Sequence, residues 1–73
     1  MFPNLKSEMV RYNVTVDDLS LVIGVVPGNV RLRLNGGKPI LFGEAVKIRD
    51  YINSKCGTRF TLEYLFSEKP IQL

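Results

Sequence analysis

Residues 15–36 read TVDDLSLVIGVVPGNVRLRLNG, and this stretch decides the fold. Its first half is helical by pattern. Thr15 is a good N-cap, and Asp17 and Asp18 fall in the first turn, where the helix dipole favours negative charge. Val14 before the cap and Leu19 in the second turn form a hydrophobic staple. Leu19, Val22 and Ile23 make an i, i+3, i+4 stripe, and Gly24 can stop the helix in a left-handed turn. The second half has two readings. As a helix over 27–34, Pro27 takes the first position, where its missing N–H costs nothing, Val30 and Leu34 share a face, and Gly36 ends it. As a strand, Val30 to Leu34 alternates and Asn35-Gly36 is a hairpin turn signal, with Pro39 to Phe42 returning. Taken alone, the window leans slightly to the hairpin. Its neighbours read as helices, however, and an isolated hairpin is marginal.

Working outward, Leu5, Met9 and Tyr12 fall on one face of a helix over about Asn4 to Tyr12. After the central stretch, Ala45, Ile48, Tyr51 and Ile52 mark a helix over about Gly43 to Lys55. Glu44 lies in its first turn, Lys55 in its last, and Gly57 follows, in agreement with dipole and capping rules. A short helix over about Leu62 to Ser67 starts at the N-cap Thr61, with Phe60 and Leu65 as a second staple. The pattern implies an all-α, compact five-helix fold. At 73 residues, the chain reads as one domain over 1–73, with 69–73 as a tail.

Composition narrows the chemistry. The chain is 45% hydrophobic and 23% charged, too apolar for a disordered tail. It has no His, which excludes Ser-His and Cys-His nucleophile pairs, and its single Cys with no His cannot make a zinc site. Cys56 reads as a plain thiol near a helix end. The stretch Gly36-Gly37-Lys38 lacks the spacing of a phosphate loop, because Pro39 stands where Ser or Thr is needed and Leu32 where Gly is needed. Nothing else suggests an enzyme, a metal or a cofactor. No signal peptide is visible, and the longest uncharged run, Leu19 to Val30, is too short for a membrane span. A cytoplasmic location is expected.

Charge is uneven. No acidic residue lies between Asp18 and Glu44, whereas Arg31, Arg33 and Lys38 do. The other seven of the ten basic residues are matched by the seven acidic ones, so the net charge of +3 belongs to the middle of the chain. Such a local basic stretch is an electrostatic footprint of phosphate binding.

Two helices joined by a tight Gly turn form a helix-turn-helix. The pattern T-x-x-x-L-x-x-x-I-G-V-x-x-x-x-V-x-x-x-L-N-G resembles the Xre/Cro/C1 family, the phage lambda-repressor-like DNA-binding domains. FPNLKSEM (2–9) is similar to the family's first helix, EAVKIRDY (44–51) to its fourth, and FTLEYLF (60–66) to the ending of small phage or mobile-element members. The resemblance covers roughly residues 2–68 and implies that 27–34 is the recognition helix. By 100° steps, Gly28 and Leu32 then point outward, Asn29 and Arg31 lie on opposite flanks, and Arg33 lies nearer the core. The groove-facing surface implied is Gly28, Asn29, Arg31, Leu32 and Arg33, with Lys38 meeting a phosphate and N–H groups at the start of the second helix meeting another. The function implied is a Cro- or repressor-like transcriptional regulator that binds double-stranded DNA as a homodimer. A dimer contact is expected from the fifth helix and the apolar tail Pro70-Ile71-Gln72-Leu73.

The chain departs from the family's pattern at Val16, where Gln is frequent, and at Pro27 and Gly28, where Ser, Gln or Arg is frequent. Val16, Leu21 and Leu32 are then apolar residues expected to be exposed on or beside the DNA-facing surface. Exposed apolar clusters often mark protein contacts. A second reading follows: a helix-turn-helix module that binds a protein partner through Val16, Leu21 and Leu32, as an anti-repressor or adaptor.

Overall fold

In the computed structural model, which describes residues 1–69, the chain forms α1 (Pro3–Arg11), α2 (Val16–Ile23), α3 (Pro27–Leu34), α4 (Phe42–Cys56) and α5 (Leu62–Leu65). No strand occurs among the described residues, so the ambiguous window is a helix. Val30 and Leu34 are buried while Leu32 is exposed, a division that a strand with all three on one face would not give. Pro27 opens α3. Gly36, at φ +85°, turns the chain beyond the helix end, and a Cβ there would sit 3.2 Å from the Met1 side chain.

The helices pack in a chain of neighbours: α3 on α2, α2 on α4, α4 on α5 and α5 on α1. Leu5, Leu19, Val30, Ile48, Ile52 and Leu65 fill the centre. Each such side chain contributes about 1.5–3 kcal/mol on burial. The result is a globule of 30 × 24 × 21 Å. No helix among the described residues is long and apolar enough to cross a membrane.

The caps fix the helix ends. Thr15 Oγ1 accepts from the Asp18 N–H at 3.1 Å, and the Asp18 carboxylate accepts from the Thr15 N–H at 2.9 Å. Gly24 ends α2 in the left-handed region at φ +69°, and Gly57 ends α4 in the same way. α4 starts one residue earlier than expected. Its N-cap Leu41 has no side-chain acceptor, but the Glu44 carboxylate accepts from the Leu41 N–H at 3.1 Å. Asn53 then holds the loop after α4, donating to the Phe60 carbonyl and accepting from Thr58 and the Phe60 N–H.

α5 is shorter than its pattern suggests. It ends at Leu65, and Phe66 turns to meet Phe2 edge-on at 5.2 Å. Two polar contacts also tie α1 to α5. Asn4 donates to the Tyr64 carbonyl at 2.9 Å, and the Tyr64 hydroxyl donates to Glu8 Oε2 at 2.7 Å. Glu8 is only 1% exposed, and its other oxygen lies 3.4 Å from Arg11 Nε. Of the tail proposed for a dimer contact, residues 70–73 lie outside the described residues.

Two predictions follow from these caps and ties. The backbone and side chain of Thr15 hold the Asp18 carboxyl below the usual carboxylate range. Its contribution to stability is therefore complete above that range and is lost as pH falls through the lowered value. Thr15→Ala should cost about 1 kcal/mol at neutral pH in urea unfolding, and the cost should shrink in acid. The bond to Glu8 holds the Tyr64 phenol above the usual tyrosine range. That contribution is complete at neutral pH and is lost as pH rises through the raised value. Tyr64→Phe should cost about 1–3 kcal/mol, because it strips a buried carboxylate of its donor, and should flatten the alkaline loss of stability.

Candidate nucleic-acid interface

The outer edge of α3 is set by what its inner edge buries. With Val30 and Leu34 in the core, Leu32 faces away and is 43% exposed, and Gly28 is exposed with open space around the position of a Cβ. The two flanks of the helix have different chemistry.

One flank is closed. Arg33 Nε donates to Glu44 Oε1 at 2.9 Å, and its Nη1 donates to the Asn29 carbonyl at 3.3 Å. The two charged side chains are only 17% and 12% exposed. Asn29 is half-buried on this flank. Arg33 is thus directed at α4, and its charge is neutralised locally.

The other flank is open. Arg31 is exposed, and its side chain makes no hydrogen bond or ion pair with the described residues. Beside it runs a groove of about 580 Å³, bordered by Val16 of α2, Lys6 of α1 and Asn35 after α3. Lys6 Nζ donates to Asn35 Oδ1 at 2.9 Å. Lys38 is exposed past the Gly36-Gly37 turn and likewise makes no side-chain contact of that kind. That turn folds back over α3, with the Gly37 N–H donating to the Leu32 carbonyl at 2.8 Å.

The structure thus gathers Gly28, Arg31 and Leu32 on the outward half of α3 and adds Lys6 to the basic set. Arg33 and Asn29 stand apart, on the α4 side. Leu21 is 86% exposed on α2, as expected, and Leu41 and Phe42 are exposed apolar residues too. Two expectations change. Val16 is half-buried rather than exposed, because it packs against the core at the groove wall. The start of α2 is a poor phosphate site: its capping box already binds the Asp18 N–H, and the carboxylates of Asp17 and Asp18 repel an anion there.

Sequence reasoning missed Lys6 and Glu44 as shapers of this surface. Their partners lie 29 and 11 residues away along the chain, beyond any local spacing rule. Among the described residues, no three His, Cys, Asp or Glu side chains come together to hold a metal ion.

No protein-family model matches the chain, and neither the curated proteins nor the solved structures offer a significant match.

Glu44→Ala should cost about 1.5–3 kcal/mol, because it removes a charge-assisted bond and leaves the Arg33 guanidinium partly buried. Hydrogen exchange should then speed up more at the α3 amides of Leu32 to Leu34 than at those of α1. Unchanged protection in α3 would mean that the ion pair does not hold the helix.

Proposed function

We propose that the protein is a small DNA-binding transcriptional regulator with the lambda-repressor-like arrangement, α2 lying across the DNA backbone and α3 in the major groove. The observation that carries this reading is the asymmetry of α3: its outer edge bears no carboxylate, and Arg31 and Lys38 stand unpaired beside it. The sequence resemblance over residues 2–68 and the Gly24 turn between α2 and α3 support it.

In this reading, Gly28 lets the α3 backbone come close to the bases, and Leu32 packs on a thymine methyl. Arg31 pairs with a guanine edge or a phosphate, and Lys38 and Lys6 meet phosphates. Arg33 and Asn29 act from the α4 flank, Arg33 chiefly by fixing the angle of α3. Val16 supports the edge of the surface. The protein works in the cytoplasm by occupying a promoter, without catalysis, as a homodimer on a pseudo-palindromic site.

The exposed Leu21, Leu41 and Phe42 favour one other reading, a helix-turn-helix module that docks on a protein.

Anisotropy titration of labelled random duplex DNA separates the two. Binding should weaken steeply between low and near-physiological salt, through counterion release. Arg31→Ala should weaken it across sequences and reduce the salt slope by about 1 if the contact is to phosphate. No binding at low salt would exclude the regulator reading. Partner capture abolished by Leu32→Asp and unaffected by Arg31→Ala would favour the module.

A further inference from the structure

We propose that the groove between α1 and the α2–α3 pair binds a small amphiphilic anion, an apolar body ending in an oxyanion head. Its volume of about 580 Å³ lies in the range of small-molecule sites. The wall is apolar: Met9, Val14, Val16 and Leu34 line it, and Val10 stands on the lip at 84% exposed. The charged groups that line it are Lys6 and Arg31, with no Asp or Glu. Lys6 donates one of its three N–H groups to Asn35 and keeps two. Arg31 keeps its whole fork of donors.

Apolar walls and two like charges in one lining select a ligand that carries both features. A neutral amphiphile leaves the cations unmatched, and a bare inorganic anion leaves the apolar wall wet. Carboxylate and phosphate heads satisfy the same donors, and the head is settled by comparing them. Binding itself is independent of the DNA reading. Its consequence, that the ligand withdraws Arg31 from DNA, rests on that reading.

The test is a titration of the isotopically labelled full chain, free of DNA, followed by amide chemical shifts. Octanoate and octyl phosphate, both below their micelle concentrations, should give saturable shifts at Lys6, Met9, Val16, Arg31 and Asn35, and the tighter of the two identifies the head. Octanol should bind roughly tenfold more weakly, and inorganic phosphate should leave Met9 and Val16 unmoved. Lys6→Gln and Arg31→Gln should each weaken the better ligand about fivefold. Val10→Asp should do the same from an exposed position that leaves the core intact, with circular dichroism checking the fold of each variant. The proposal is overturned by shifts that do not saturate or that centre on Leu41 and Phe42. Equal affinity for octanol, or inorganic phosphate reproducing the pattern, overturns it too.

Discussion

The contact between Arg33 and Glu44 pins to α4 the facing of α3 that burial of Val30 and Leu34 sets. Two buried side chains, Val30 and Leu34, hold an eight-residue helix to the core but leave it some freedom to roll. The guanidinium limits that freedom, because it is held to its own helix by the Asn29 carbonyl and to α4 by the Glu44 carboxylate. The carboxylate in turn accepts from the backbone at the start of α4. One charge pair therefore ties α3 to α4 and holds the first turn of α4. Its partial burial strengthens the attraction relative to water, at the cost of removing both charges from solvent. It also leaves Arg31 and Lys38 as the outward positive charge of the middle segment.

Behind this surface, α2 has the central place. It packs on both α3 and α4, so an error in its register would displace both. Its ends are fixed by the Thr15–Asp18 box and by Gly24. Leu19, fully buried, sits one turn inside the capped end, where the box and the staple with Val14 position it together.

Much of this architecture was legible in the sequence, and the reason is local. α2 carries its own start and stop signals, and α4 carries Glu44 in its first turn and Gly57 after its last. The 27–34 segment was not legible by itself, because alternating apolar residues suit a strand as well as a short helix. Burial of Val30 and Leu34 with exposure of Leu32 resolves it, and burial is a tertiary property. The end of α5 escaped notice for a similar reason. Phe66 continues the helical stripe from Leu62, yet it turns away to meet Phe2 near the opposite end of the chain. The half-burial of Val16 and the partners of Lys6 and Arg33 likewise depend on elements distant in sequence. The outward face of α3 followed from helical steps, but the difference between its flanks did not.

The contacts between α1 and α5 span about sixty residues and impose an order on biosynthesis. A growing polypeptide leaves the ribosome N-terminal end first. α1 therefore emerges with the Glu8 carboxylate still hydrated, and its lasting neighbour on α5 follows only about sixty residues later. Until Tyr64 and Leu65 arrive, α1 lacks the helix it packs on, and the core lacks one of its fully buried side chains. A chain that has not yet gained α5 carries an unsealed interior beside its first helix, and such exposed apolar surface invites aggregation.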